Sequence, residues 1–184
     1  IMTQNYRLKD IGRIDRNHKI SFTFNGKKYS GYKGDTLASA LLANGVHLIA
    51  RSFKYHRPRG ILAAGVDDPS AKVQLIKDGY SEPNVNLTEF ELVEGLELQS
   101  QNCWPSVNID VGEINNLLNR FFPAGFYYKT FMWPKSFWYS VYEPFIRKAA
   151  GFGVASLDPD PDRYEHQYEH CDVLVVGSGP SGLS

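Results

Sequence analysis

A run of alternating residues near the N-terminus constrains the fold of this chain most tightly. In residues 19–24 the apolar side chains occupy every second position, which is typical of a strand with one buried face. Asn25-Gly26 follows directly, and this dipeptide favours the positive φ angles of a two-residue hairpin turn. We therefore predict an antiparallel hairpin whose second strand spans residues 27–31.

A short helix and further strands are predicted after the hairpin. Asp35 precedes apolar positions at helical spacing in residues 37–42, and we expect its carboxylate to cap the helix. A loop at 50–70 separates this helix from strands at 71–76 and within 85–98. This order predicts an α+β chain with a β-grasp domain, the topology of ubiquitin and of plant-type ferredoxins. Another small α+β fold is the alternative.

The charge balance excludes several classes of protein. Lysine and arginine number 20, as do aspartate and glutamate, so the formal net charge is zero. This argues against a chain built to coat nucleic acid or an anionic membrane. Two cysteines are too few for a disulfide-stapled scaffold, and the sequence shows neither a secretory signal nor an apolar run of the ~18 residues that a membrane helix needs. We expect a soluble cytoplasmic protein with no nucleic-acid or membrane partner.

A basic loop at residues 51–60 is the first candidate functional feature. It combines four cations with His56 and two aromatic rings, and guanidinium groups hold phosphates or carboxylates through paired hydrogen bonds. Salt bridges to its own domain or to a partner are an equal alternative. The sequence leaves the roles of Arg57 and Arg59 undecided between phosphate contact and subunit docking.

An aromatic-rich segment is the second feature. Half of the residues in 121–142 are aromatic, which is too much large apolar surface to remain in water. A helix precedes this segment, and Asp110 with Glu113 has the pattern of a capping box at its start. We predict a helical docking segment that packs against a large partner surface.

A glycine-rich motif at the end of the sequence is the most specific local signal. Residues 172–176 are typical of a buried parallel strand, and they run into a G-x-G-x-x-G pattern formed by Gly177, Gly179 and Gly182. In a Rossmann-type domain these glycines allow a tight turn, a close approach of the backbone to a pyrophosphate, and close packing of the next helix. We predict them as cofactor contacts. The acidic ribose ligand expected about 20 residues later is not present, so the motif alone does not separate NAD from FAD, and we expect the chain to be a fragment.

The two cysteines bear on iron–sulfur chemistry. Plant-type ferredoxins hold their cluster with cysteines at C-x4-C-x2-C spacing in the loop after the first helix. Residues 61–70, the corresponding stretch, contain no cysteine, and Cys103 and Cys171 lie outside it. We therefore predict a fold without an iron–sulfur cluster, and we place no metal site in this chain.

Three long motifs give the chain a family resemblance. SFKYHRPRGIL at 52–62, SQNCWPS at 100–106 and AGFYYKTFMWP at 124–134 resemble the N-terminal part of the alpha subunit of heterotetrameric sarcosine oxidase. The likeness extends in order from Tyr6 to Gly182. It implies a ferredoxin-like β-grasp domain, an aromatic-rich connection and the start of a domain that binds NAD.

The resemblance also implies the reaction of the complete enzyme. Such an enzyme oxidatively demethylates sarcosine to glycine, passes electrons from FAD to FMN and then to dioxygen, and releases hydrogen peroxide and a one-carbon unit for tetrahydrofolate. Its partners are the beta, gamma and delta subunits, and the folate-binding region lies beyond residue 184. The fragment alone is then expected to be inactive and to contain no catalytic residue. The exact substrate preference is not readable from these residues.

Three alternatives remain from the sequence. Alpha subunits of related opine oxidases and hydrogen cyanide synthases carry cysteines in the loop after the first helix, and their absence between Gly60 and Ser70 favours the sarcosine oxidase branch. A non-enzymatic β-grasp adaptor and an electron-carrying ferredoxin module are the others.

The predicted organisation has five parts. They are an N-terminal extension (1–18), a cluster-free ferredoxin-like β-grasp domain (19–100), an aromatic-rich helical docking segment (101–156), a linker (157–170), and the first strand and glycine loop of a truncated dinucleotide-binding domain (171–184).

Overall fold

The computed structural model describes residues 4–77, 79–126, 131–150, 153, 155–159, 163–177 and 179–184. Its strands are β1 (Asp15–Phe24), β2 (Lys27–Lys33), β3 (Ala50–Arg51), β4 (Pro58–Arg59), β5 (Lys72–Lys77), β6 (Tyr80–Asn86) and β7 (Glu97–Ser100). Its helices are α1 (Leu37–Ala43), α2 (Ile114–Leu117), α3 (Glu143–Ala150) and α4 (Pro180–Leu183). A π-helical turn, Trp138–Tyr142, directly precedes α3, and short 3-10 turns lie at Gly65–Asp67, Val111–Glu113, Asn119–Phe121 and Lys135–Phe137.

Five strands form one mixed sheet in the order β2-β1-β7-β5-β6, and β3 pairs with β4 separately. β1 and β7 run parallel, and the other neighbours are antiparallel. The predicted hairpin is confirmed, because Phe24 pairs with Lys27 and the φ angles of Asn25 and Gly26 are 49° and 76°. The sheet with its single crossing helix fits a ferredoxin-like β-grasp domain.

Like β3 and β4, which lie within the predicted loop at 50–70, β6 is not predicted by the sequence pattern over most of its length. Val85 is its buried residue, and it lies at the edge of the sheet. Pro83 has no backbone N–H and is tolerated in an edge strand, and the pairing with β5 shifts register between Val73 and Leu75. A strand with one buried side chain leaves no alternation to detect, so the strand expected within 85–98 is divided between the end of β6 and the start of β7.

The hydrophobic core lies between α1 and the sheet. Leu37 and Leu41 on the helix are fully buried, as are Val73 and Leu98 on the sheet. The other large aliphatic and aromatic members are Phe22, Phe24, Ile49, Leu75, Leu87, Leu92 and Leu96. The loops that carry the candidate sites depart from the strands that this core holds in place.

The cap of α1 differs from the prediction, because the structure places Thr36 and not Asp35 at this position. The Thr36 hydroxyl accepts a hydrogen bond from the Ser39 backbone N–H at 3.2 Å. The Asp35 carboxylate instead accepts hydrogen bonds from the Arg7 guanidinium and the Ser39 hydroxyl. A buried carboxylate requires a charged partner, and Arg7 meets that requirement while Thr36 caps the helix.

We expect Thr36→Ala to lower the free energy of unfolding by about 1 kcal/mol, because it removes the acceptor of the Ser39 N–H. Thr36→Ser keeps a hydroxyl and should keep most of the stability. Urea unfolding of both variants measures the difference. Equal losses in the two variants would show that the hydroxyl contributes nothing as a cap.

The C-terminal residues also differ from the prediction. Residues 172–176 form no strand in this structure and are exposed. A parallel strand needs neighbours with which to pair, and no described strand pairs with this segment. α4 does begin within the glycine motif, with Gly179 at its N-cap and Gly182 inside the helix. A Rossmann-type domain starting here stays a prediction.

Candidate functional site

The basic loop at residues 51–60 turns inward onto the segment that follows β7. Arg51 is 5% exposed. Its Nε donates to the Val107 carbonyl at 2.9 Å, and its Nη1 donates to the His56 carbonyl at 3.0 Å. Nη1 also lies 3.3 Å from the Glu113 carboxylate. Through these contacts the Arg51 guanidinium holds the basic loop against residues 107–113.

Other side chains of the basic loop make contacts of the same kind. Arg57 Nε donates to Asn116 Oδ1 at 2.8 Å, and the Arg57 guanidinium lies over the Tyr55 ring, 4.8 Å from its centroid. The Tyr55 hydroxyl donates to the Phe122 carbonyl at 2.8 Å. For Arg57 the structure therefore shows docking within the chain, whereas Arg59 is exposed on β4 and its role stays undecided.

His56 and Asp110 form a close pair beside this loop. His56 Nδ1 lies 2.6 Å from Asp110 Oδ2, and the Asp110 side chain is fully buried. Asp110 Oδ1 accepts the backbone N–H groups of Trp104 and Gly112, both at 3.0 Å. A Cβ at Gly112 would lie 2.3 Å from the His56 ring, so only glycine allows this approach. The predicted capping by Asp110 is confirmed by its bond to Gly112, but Glu113 pairs with an arginine and does not complete a capping box.

Asp68 organises the loop in which ferredoxins carry their thiolates. Its buried carboxylate accepts four backbone N–H groups, those of Leu62 (2.7 Å), Ala63 (3.0 Å), Ser70 (2.7 Å) and Ala71 (2.8 Å). Burial by itself would raise the pKa of Asp68, but these four donors outweigh it and lower the pKa to about 2. Sequence reasoning missed this residue, although Asp-Pro-Ser is a pattern in which an aspartate bonds to the following backbone.

The two cysteines differ in their exposure to solvent. Cys103 is half-buried and Cys171 is exposed, and both are free. Burial, followed by the charge of Asp110, raises the pKa of the Cys103 thiol, which makes it a poor nucleophile and a poor ligand. Among the residues that the structure describes, no group of three or more His, Cys, Asp or Glu side chains could hold a metal ion.

The structure brings together the glycines predicted as cofactor contacts. Gly177 has a φ of 112°, which residues with a side chain rarely adopt. A Cβ at Gly182 would lie 2.3 Å from the Gly177 carbonyl oxygen, so a larger residue would push the helix away from the turn. The Gly179 carbonyl accepts the backbone N–H groups of Gly182 and Leu183. The first and third glycines are thus required by the backbone, and the role of all three in binding a cofactor stays a prediction.

The aromatic-rich segment exposes much of its apolar surface. Its rings form a chain of contacts from Phe122 through Phe126 and Phe131 to Tyr142, with centroids 4.9 to 6.3 Å apart. Residues 127–130 lie outside the described residues. In the described part of the chain, no helix combines the length and apolarity needed to cross a bilayer. Among its described residues, the exposed aromatic side chains are Phe121, Trp133, Phe137 and Tyr139, and Phe145 of α3 is exposed as well.

Comparison of the sequence with known proteins identifies one matching family and several relatives of this chain. Residues 17–103 match the family described as 2Fe-2S iron-sulfur cluster binding domain. The sarcosine oxidase alpha subunit of Rhizobium meliloti (strain 1021) is 58% identical over 179 residues, which cover 97% of this chain and 18% of that protein. The alpha subunit of Corynebacterium sp. (strain P-1) is 31% identical over 100% of this chain and 15% of that protein. The alpha subunit of Corynebacterium sp. (strain U-96) is 29% identical over 94% of this chain and 13% of that protein. The chain thus spans less than a fifth of these relatives.

One solved structure matches part of the chain at lower similarity. L-proline dehydrogenase from P. horikoshii superposes with a TM-score of 0.37 and 25% sequence identity, over 47% of this chain and 16% of that one. The resemblance to the alpha subunits of sarcosine oxidase is confirmed by the curated relatives.

The prediction of a fold without an iron–sulfur cluster is wrong, because the family that residues 17–103 match is a cluster-binding one. That prediction depended on the absence of cysteine from residues 61–70 and on the position of Cys103 and Cys171 outside that stretch. A cluster of this type takes four cysteine, or cysteine and histidine, ligands, whereas Cys103 is the one cysteine in residues 17–103. The described side chains do not supply a fitting ligand set, and no step of the proposed function passes through a cluster. NAD, FAD and FMN are named by none of the comparisons and stay predictions.

Proposed function

We propose that this chain is the N-terminal part of the alpha subunit of a sarcosine oxidase-type enzyme, an oxidoreductase of several subunits. The observation that carries the proposal is the 58% identity to such a subunit across 97% of the chain. The part contributed by this chain is structural, and the catalytic centre lies elsewhere in the enzyme.

The use of polar side chains within the chain supports a structural role. Two of the four cations that stood out in the sequence, Arg51 and Arg57, are bound to carbonyl and amide groups of residues 107–116. His56 has its Nδ1 on the buried Asp110, and the Cys103 thiol has a raised pKa. A catalytic base or nucleophile needs a pKa matched to its task and access to substrate, and these groups serve packing.

The reaction proposed for the complete enzyme is the oxidative demethylation of sarcosine to glycine. Two electrons leave the N-methyl group through flavin chemistry and reduce dioxygen to hydrogen peroxide, and the oxidised carbon becomes a one-carbon unit for tetrahydrofolate. The proposed partners are beta, gamma and delta subunits, in the cytoplasm. The exposed aromatic side chains form a surface suited to contact with other parts of such an assembly.

Substrate-dependent oxygen consumption by the purified complete enzyme tests this proposal. Sarcosine should support uptake of dioxygen with stoichiometric hydrogen peroxide and glycine. Turnover of an opine in place of sarcosine would show that the chain belongs to an opine oxidase and not to a sarcosine oxidase. A full-length protein that purifies without other subunits or flavin, and oxidises neither compound, would favour the adaptor.

The second part of the proposal is that Gly177, Gly179 and Gly182 begin an NAD site. The left-handed φ of Gly177 and the close approach of Gly182 to its carbonyl are the backbone features that a pyrophosphate-binding turn requires. We expect Gly182→Ala in the complete alpha subunit to weaken NAD binding at least tenfold, because the added Cβ would displace the helix from the turn.

Calorimetric titration of NAD measures this effect. Ser181→Ala is the matched control, since Ser181 is exposed and lies between the glycines, and it should bind NAD as the unmodified subunit does. Equal affinity in Gly182→Ala and Ser181→Ala would remove the glycine motif from the NAD site. Loss of NAD binding with retained sarcosine oxidation would show that NAD bound at this site is not required for the reaction.

A further inference from the structure

We propose that the outward face of residues 111–121 is an interface within one polypeptide. The part of the alpha subunit that follows this chain covers the face, and another subunit does not. Four apolar side chains form it, and we call them the apolar row: Val111, Ile114, Leu117 and Phe121. The inference rests on the proposed function, because it takes the chain as the N-terminal part of a longer alpha subunit.

Residues 111–121 turn their polar side chains towards the basic loop. Asn115 Nδ2 donates to the Lys54 carbonyl at 3.3 Å, and Asn116 Oδ1 accepts a hydrogen bond from Arg57 Nε at 2.8 Å. Both asparagines are half-buried. Glu113 pairs with another arginine of the same loop. A surface helix normally has the reverse arrangement, with its apolar side chains on the core and its polar side chains in water.

The apolar row is exposed as a consequence. The exposed fractions are 58% for Val111, 56% for Ile114, 81% for Leu117 and 74% for Phe121. These residues follow one another at three- and four-residue spacing, which keeps them on one face of a helical segment. A continuous row of large apolar side chains in water marks a surface that another part of the protein or a partner covers.

The apolar row is held in place by polar contacts at both ends of its segment. At the start, the Asp110 side chain caps the first turn. At the end, the Tyr55 hydroxyl donates to the Phe122 carbonyl at 2.8 Å, and Lys54 Nζ donates to the Pro123 carbonyl at 3.3 Å. A surface that is already ordered loses little conformational entropy when it is covered, so these contacts favour an interface over a frayed end.

The length of the relatives identifies what covers the apolar row. The chain matches the N-terminal part of the Rhizobium meliloti subunit over 18% of that protein, so more than four-fifths of the same polypeptide follows the match. A surface in the same polypeptide is present at a high effective concentration, whereas a separate subunit has to be captured from solution. The row is therefore covered as the alpha subunit folds and before subunits assemble. Arg120, exposed beside Phe121, favours a carboxylate at the edge of the covering surface.

Photo-cross-linking in the complete enzyme tests the inference. The photoreactive residue p-benzoylphenylalanine replaces Leu117, and mass spectrometry after irradiation identifies the attached peptide. We expect a peptide of the same alpha polypeptide from beyond residue 184. The same probe at Lys28, an exposed residue of β2 outside the apolar row, should give at least fivefold less of that peptide. The proposal fails if the main product contains a peptide of another subunit, or if the yield at Leu117 is no higher than at Lys28.

Hydrogen exchange in the complete enzyme gives a second measurement. Leu117→Asp should raise the exchange rates of the backbone amides of residues 111–121 at least tenfold, because it places a charge in the apolar interface. Asn119→Asp adds the same charge at an exposed position of the same segment without removing an apolar side chain, and it should leave these rates unchanged. Equal effects of the two variants would overturn the proposal. Neither measurement follows sarcosine oxidation, so a failure here is distinct from a failure of the proposed function, which oxygen uptake tests.

Discussion

Arg7→Gln is expected to lower the free energy of unfolding by about 3–5 kcal/mol, because it leaves the Asp35 carboxylate buried without a cation. Asp35 is 1% exposed, and Arg7 Nη1 and Nη2 donate to its two oxygens at 3.0 and 2.7 Å. The other partners of this carboxylate, the Tyr32 N–H and the Ser39 hydroxyl, are neutral. They cannot offset the cost of burying the charge alone.

Urea unfolding of the chain measures this loss. Arg13→Gln is the matched control, since Arg13 is an exposed residue of the same N-terminal stretch, and it should change stability by less than about 0.5 kcal/mol. The double variant Arg7→Gln/Asp35→Asn removes the orphaned charge and should regain part of the stability. A loss in Arg7→Gln no larger than in Arg13→Gln would show that the pair contributes as little as a surface salt bridge.

Local features of the fold were predictable because their signals lie within a few residues. Alternation and Asn25-Gly26 are sufficient to set the β1–β2 hairpin, and the apolar spacing of 37–42 is sufficient for α1. The cap of α1 was misassigned because two adjacent residues, Asp35 and Thr36, are both good caps. A distant arginine decides between them, and the choice cannot be read from local sequence.

Long-range contacts of the candidate sites were not predictable. His56 and Asp110 are 54 positions apart, and Arg51 and Val107 are 56 apart. The sequence shows the charges of the basic loop but contains no feature that identifies the groups that accept their hydrogen bonds. The cluster prediction failed because it was drawn from the positions of the cysteines, whereas the family match over residues 17–103 depends on the sequence of the whole domain.

Buried ionic side chains have one task in common in this chain, which is to hold segments that lack regular structure. Asp35 binds the N-terminal stretch through Arg7, and Asp110 binds the basic loop through His56. Asp68 holds its own loop through backbone groups. This use of charge within the protein explains why Arg51 and Arg57, although conspicuous in the sequence of a neutral chain, are bound by groups of the chain itself.

The loop around Asp68 provides the second large effect. Asp68→Ala is expected to lower the free energy of unfolding by about 4 kcal/mol, because four backbone N–H groups lose their acceptor together. Asp67→Ala is the matched control, since Asp67 is exposed in the same turn and should change stability by less than about 0.5 kcal/mol. Urea unfolding of both variants gives the comparison, and equal losses would contradict the role assigned to the Asp68 carboxylate.

The same carboxylate should make part of the stability depend on pH. Hydrogen bonds lower the pKa of Asp68 from 3.8 to about 2 against the opposing effect of burial, so its contribution, about 2 kcal/mol, is complete above about pH 5 and is lost as the pH falls towards about 2. Between neutral pH and about pH 3, the unmodified chain should therefore lose about 1 kcal/mol more than Asp68→Asn. Asp67→Asn should follow the unmodified chain. If Asp68→Asn and the unmodified chain lost stability in parallel down to about pH 3, the carboxylate would not be ionised preferentially in the folded state, and the four donors would not be what holds the loop.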